Sequence, residues 1–331
     1  MQTKNIFSLL VLFLSITVTA QVSGISEHSD DGVNKNTKFR NLTNDLYYLQ
    51  SDGGNIGIYF GKDDIFMVDS QTSTEINNNL KIIKRVSKNP IKYLVNTGSQ
   101  PDHNGGNQKI SKEGALILSH KITRSKISRS RKSDNKDISA GLVPADITFS
   151  ESLTIHYRNE EIKIISSGKN NGDLMVYFSK SNVLFTGDIF YMKNRYPLID
   201  KDNGNSAEKT ISGLTSILKI VNSDTKIIPG HGDIANINEV NSSINMLSYM
   251  YKQIYSQRSN GKTLDEVLAS KSTITGRYDS KGYGDGEVKS DDIITIIYNE
   301  LAKEMGPLDK RTPQEKANDR LREMQKEKGK N

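Results

Sequence analysis

The alternation of apolar and polar positions divides the chain into stretches of different period. Residues 21–45 are mostly polar, with Asn, Asp and Ser prominent from position 27, and read as a flexible leader. Short β-branched and aromatic runs follow at 46–49, 56–60 and 65–68. Asp52-Gly53-Gly54 and Gly61-Lys62-Asp63-Asp64 separate them with the turn chemistry of an antiparallel sheet. Then the period lengthens. Ile76, Leu80, Ile83 and Val86 recur at helical spacing, Pro90 marks that helix as finished, and 91–95 reads as a fully buried strand. A strand at 115–118 and a helix at 122–130 come next. A second series of strands occupies 147–149, 153–157, 161–166, 174–178 and 183–186. An amphipathic helix over 206–221 carries Ile211, Leu214, Leu218 and Val221 on one face, and 226–228 is the last strand. Two blocks of strands, each closed by a helix, predict two facing sheets with helices outside, a four-layer α/β arrangement.

The chain has 331 residues, room for one large or two ordinary domains. The pattern assigns 46–250 to the sheet-containing body and 251–331 to a helical C-terminal extension. Its last piece opens on Thr312-Pro313-Gln314-Glu315, a capping box whose helix has only a thin apolar stripe of Ala317, Leu321 and Met324. At the other end, Lys4 precedes an apolar run over 6–14, and Val18 and Ala20 stand before Gln21 as a cleavage signal. Residues 1–20 therefore read as a signal peptide, which places the protein in a periplasm or outside the cell. No later run is long enough to span a bilayer, so no membrane partner is expected after cleavage.

Charge and cysteine content narrow the chemistry. The net charge is +6 with 25% charged residues intermixed along the chain, so no nucleic-acid partner is implied. The basic stretch Lys121, Arg124, Lys126, Arg129, Arg131, Lys132 lacks interleaved aromatics and reads as a solvated helix face. With no cysteine there is no disulfide, thiolate ligand or cysteine nucleophile, and any metal must rest on His, Asp or Glu.

The segment 95–107, Val-Asn-Thr-Gly-Ser-Gln-Pro-Asp-His-Asn-Gly-Gly-Asn, directly follows the buried strand, where a loop can project side chains into a cleft. It resembles the metallo-β-lactamase superfamily signature N-T-H-x-H-x-D-H-x-G-G-N. Three further motifs follow in order. Gly168-Lys169-Asn170-Asn171-Gly172-Asp173 resembles G-H-T-D-G-D, Phe185-Thr186-Gly187-Asp188 resembles T-G-D, and Pro229-Gly230-His231-Gly232 resembles P-G-H-G. The resemblance spans about 46–250. It implies an αβ/βα sandwich and hydrolysis of ester, thioester, lactam or phosphoester bonds in a small-molecule substrate.

The departures from that pattern matter as much. The family's first-metal histidines fall at Gly98, Gln100 and Lys169, none a competent zinc ligand. The second-metal set survives as Asp102, His103 and His231, with Asp188 in the bridging place. The resemblance thus implies at most one zinc ion, held by Asp102, His103, Asp188 and His231, with Asp102 and Lys169 as catalytic residues and Lys169 as an anion clamp. Asp69 is expected to support the loop from behind, and His120 to be structural at the cleft edge. A second reading stays open. Asp102 and His103 would shape the loop, Asp188 accept backbone hydrogen bonds, His231 pack and Lys169 neutralise the carboxylates, leaving a non-catalytic pseudoenzyme or binding protein. Its cleft, lined by Lys169, Gln100 and Ser99, would take a polar or anionic ligand.

Overall fold

The computed structural model describes residues 37–131, 142–168, 172–199, 201, 204–308 and eight positions between 311 and 325. The expected signal peptide, Lys169 and the capping box opening on Thr312-Pro313 lie outside the described residues.

Seven strands form the first sheet in sequence order: β1 (Lys38–Asn41), β2 (Leu46–Ser51), β3 (Gly54–Phe60), β4 (Ile65–Val68), β5 (Ile91–Val95), β6 (Leu116–His120) and β7 (Ile147–Phe149). Pairs from β1 to β4 are antiparallel and joined by tight turns. From β4 to β7 they are parallel, and each crossover carries helix: α1 (Ile76–Val86), then α2 (Pro101–Asn104) with α3 (Asn107–Lys112), then α4 (Lys121–Ser130). The second sheet has the order β12-β11-β10-β9-β8. It contains β8 (Ser152–Tyr157), β9 (Glu160–Ser166), β10 (Leu174–Phe178), β11 (Val183–Phe185) and β12 (Lys226–Ile228), and only its β11–β12 pair is parallel.

Strand alternation builds the layers. Leu46, Tyr48, Phe66, Val68 and Val95 of the first sheet meet Ile162, Ile164, Val176, Phe178 and Phe185 of the second in one buried cluster. Residues of opposite parity in the second sheet, Met175 and Leu184, pack with Leu214 and Ile217 of α5 (Ala207–Ile217) and Val240 of α6 (Ile237–Ser259). In the first sheet Ile58, Met67, Leu94 and Ile117 are fully buried outside the inter-sheet cluster, as expected for the face that the crossover helices cover. The four-layer sandwich with C-terminal helices is therefore the fold.

Two assignments change in register or extent. Residues 38–41, placed in the polar leader by composition, pair with β2, Lys38 opposite Gln50 and Asn41 opposite Tyr47. Phe39 anchors them, stacking on Tyr47 at 5.1 Å and meeting Phe60 edge-on at 6.5 Å. A four-residue edge strand with one aromatic anchor leaves almost no periodic signal. Residues 147–149, read as opening the second series, instead close the first sheet, because the helix before them is a crossover that returns the chain parallel to β6.

No break falls at 250. The 23-residue α6 runs through it, and its Met246, Met250 and Ile254 form a further core with Ile293, Ile297 and Leu301. Those residues lie on α10 (Ser290–Met305), which follows the short helices α7 (Leu264–Ala269), α8 (Lys271–Ile274) and α9 (Gly276–Asp279). The Glu300 carboxylate of α10 accepts the N–H groups of Ala207 and Glu208 at 2.7 and 3.2 Å, filling the N-terminus of α5. No helix among the described residues is long and apolar enough to cross a membrane.

Candidate metal centre

Four loops meet where strands of both sheets end: Asp69 after β4, residues 96–103 after β5, Thr186–Asp188 after β11 and Pro229–His231 after β12. Asp69 has a left-handed backbone, φ 60°, a conformation Asp tolerates better than most residues. Its Oδ1 accepts the Thr97 N–H at 2.7 Å, and its Oδ2 accepts the Thr97 hydroxyl at 2.6 Å. The same Oδ2 lies 2.9 Å from His103 Nδ1. A carboxylate only accepts, so the proton sits on Nδ1 and the Nε2 edge of His103 turns towards the cleft. Asn96 and Asn107 clasp each other at 2.8 and 3.0 Å, and Asn96 also donates to the His103 carbonyl. Asp69 thus supports the loop from behind, as expected.

His103 Nε2 stands 3.3 Å from Asp188 Oδ2, off the line of a hydrogen bond, and 4.0 Å from Asp102 Oδ2. Burial alone would lower its pKa, but Asp69 and Asp188 together outweigh burial and hold it well above the usual histidine value. His231 Nε2 meets Asp102 Oδ2 at 3.0 Å and lies 3.9 Å from Asp188 Oδ1. For Asp102, burial opposes ionisation, yet the hydrogen bond from His231 and the charges of His103 and His231 pull it down to about 2. Gly230 leaves room for this convergence, since a Cβ there would fall on Asp188 Oδ1.

Asp102, Asp188 and His231 each offer one ligand atom, and these atoms lie within 4.8 Å of one another. His103 borders this trio from below, held by Asp69. The residues fit a cation by a second criterion: His103 Nε2 and Asp188 Oδ1 are both buried with no hydrogen-bond partner. A set of imidazole nitrogens and carboxylate oxygens without sulfur suits zinc.

The neighbouring positions differ. A Cβ on Gly98 would stand 2.7 Å from Gln100 Oε1 and 2.9 Å from His103 Cδ2, so the Gln100 carboxamide occupies the space a side chain at 98 would enter. His120 is structural: its Nδ1 accepts the Ile122 N–H at the start of α4, and its Nε2 donates to the Ser150 carbonyl at 2.8 Å. A cleft of about 470 Å³ opens beside it, between Glu151, Ser166 and Gly168.

The metallo-beta-lactamase superfamily profile matches residues 50–231, more than half of the chain. The protein belongs to that superfamily. Among solved structures, a metallo-beta-lactamase from Pontibacter korlensis is similar at TM-score 0.56 and 15% identity, covering 64% of this chain and 99% of its own. The DIM-1 metallo-beta-lactamase is similar at TM-score 0.51 and 16% identity, covering 64% of this chain and 97% of its own. The inverting sec-alkylsulfatase Pisa1 from Pseudomonas sp. reaches TM-score 0.62 at 15% identity over 80% of this chain, which spans half the length of that enzyme. At these identities the likeness is one of fold.

Two residues of this metallo-beta-lactamase-fold site escaped the sequence reading. Asn55 donates to the carbonyls of Pro229 and Gly232, both at 2.9 Å, and fastens the His231 loop to β3. Tyr191 lies against the His231 ring. Burial, with Glu287 and Asp188 nearby, pushes its phenol up to about 12, so it remains a donor. Neither had a local signal: Asn55 stands between the Asp52-Gly53-Gly54 turn and the run at 56–60, and Tyr191 lies outside the T-G-D motif.

Proposed function

We propose that the protein is an exported hydrolase of small molecules that works with a single divalent ion, zinc, held by Asp102, Asp188 and His231, with His103 Nε2 as a fourth donor. The observation that carries this reading is the convergence of those ligand atoms together with two buried polar atoms left unpartnered. Gly98 and Gln100 offer no ligand for a second ion, and Lys169 replaces the remaining histidine. A bound ion would supply Lewis-acid polarisation of a carbonyl or phosphoryl oxygen and an acidified water. The chain's own groups prepare the rest. Asp69 accepts the His103 Nδ1–H, so Nε2 would present its lone pair to an ion once the proton there is displaced. Asp102, ionised down to about pH 2, holds His231 in place in the metal-free site. Lys169 would clamp an anionic oxygen of an ester, thioester, lactam or phosphoester. Export rests on the signal-like pattern of residues 1–20.

One observation favours a pseudoenzyme that binds a polar or anionic ligand in the same cleft. The four side chains already pair by opposite charge, His231 with Asp102 at 3.0 Å and His103 Nε2 with Asp188 at 3.3 Å. Elemental analysis of the chain from Gln21, purified with zinc and compared with His231→Ala, separates the readings. The hydrolase reading expects about one zinc per chain, lost in the variant, and turnover across an ester and phosphoester panel that disappears with it. Zinc in neither protein would end it.

A further inference from the structure

We propose that Tyr191 is a positioning residue for His231, and that Glu287 ties it to the C-terminal helical region. Tyr191 directly follows the 3-10 turn Gly187–Phe190 that presents Asp188. Its ring centroid lies 4.6 Å from that of His231 at an interplanar angle of 40°. Its carbonyl accepts the His231 N–H at 2.7 Å, and one residue earlier Phe190 O accepts the Gly230 N–H at 3.1 Å. The two loops are therefore zipped by backbone as well as by rings. Gly54 also comes close to the imidazole: a Cβ there would come within 3.2 Å of His231 Cε1 and 2.9 Å of Gly230 O.

His231 thus has the Tyr191 ring and Gly54 as close neighbours. These close neighbours, with the backbone contacts of the loop, restrict tilting of the imidazole, whose Nε2 is directed at Asp102. The phenol hydroxyl lies 3.4 Å from Glu287 Oε2, in the segment that leads into α10. Val288, next in the chain, is buried in the C-terminal core, so the carboxylate is carried by an anchored stretch. The helical region would then steady a histidine of the metal site through one aromatic side chain.

The inference rests on zinc binding for its functional weight, and the test keeps the two apart. Zinc affinity is measured by chelator competition for wild type, Tyr191→Leu, Tyr191→Phe and Glu287→Ala. Tyr191→Leu is expected to weaken zinc about 10-fold, the effect of removing a group that orients a metal ligand. Tyr191→Phe and Glu287→Ala should each weaken it no more than roughly threefold, one peripheral hydrogen bond. A loss for Tyr191→Phe as large as for Tyr191→Leu, or no loss for Tyr191→Leu, would overturn the assignment. In metal-free protein, the His231 ring-proton resonances, identified by their absence in His231→Ala, should lie upfield in wild type relative to Tyr191→Leu. Should wild type bind no zinc, the hydrolase reading fails, and this shift alone decides: its presence upholds the clamp and its absence removes it.

Discussion

Two halves of one loop behave differently. Gly98 has no side chain, and Gln100 brings only a neutral carboxamide, whose oxygen takes up the open space beside it. A few residues on, Asp102 and His103 converge with Asp188 and His231 into a charged cluster. Both halves hang from the same frame, the Asp69 contacts to Thr97 and His103 and the reciprocal Asn96–Asn107 clasp. The frame uses backbone amides, a threonine hydroxyl and His103 Nδ1, none of which depends on a residue at 98 or 100. Ligands in the first half are therefore dispensable to the loop, whereas His103 in the second half is part of its support.

The largest effect that tests this comparison is expected from Asp69→Ala. It leaves the Thr97 N–H and hydroxyl and the His103 imidazole buried without their acceptor, a loss of about 3 kcal/mol of stability by analogy with broken buried pairs. Urea denaturation of the metal-free protein measures it, and a loss below about 1 kcal/mol would mean that the loop does not hang from Asp69.

Next in size is the acid limb of the stability curve. The Asp102 carboxyl has its folded pKa lowered from 3.8 to about 2, so folding favours its ionised form. That contribution is fully present above the unfolded value and is lost as pH falls through the folded one, between about pH 4 and 2. It amounts to about 2 kcal/mol on the scale of 1.36 kcal/mol per pKa unit. Asp102→Asn should flatten this limb in metal-free protein, and an unchanged limb would show that the His231 pairing stabilises nothing.

The smallest effect belongs to the first half. Gly98→Ala brings a methyl against Gln100 and His103 and should cost about 1 kcal/mol as mild overpacking. Adding Gln100→Ala should recover most of it, because the nearest atom is the end of a flexible side chain. Failure to recover would place the constraint on His103 instead.

Much of this fold was legible because its core strands are buried runs bounded by turn residues. The stretches around Ile65–Val68, Ile91–Val95 and Leu174–Phe178 carry their own signal in β-branched and aromatic side chains. The strand at Lys38–Asn41 was hidden, since one stacked aromatic in a polar stretch has no period to read. The membership of Ile147–Phe149 was hidden for another reason: a three-residue strand says nothing about which sheet it joins until the crossover before it is placed. At the site, Asp102, His103, Asp188 and His231 were legible from ordered motifs. Asn55 and Tyr191 were not, because their work is done on residues 174 and 40 positions away.

The sequence by itself determined the ingredients: the strand and helix runs, the superfamily motifs and the lack of cysteine. Tertiary structure decided which of the surviving groups meet. It brought Asp102 and His231 to 3.0 Å across 129 residues, set Asp69 behind His103, and filled the space beside Gly98 with an amide. The physical reason is range. Periodicity and turn chemistry act between near neighbours along the chain, whereas a metal centre depends on distances between loops, and those follow only from how the two sheets pack.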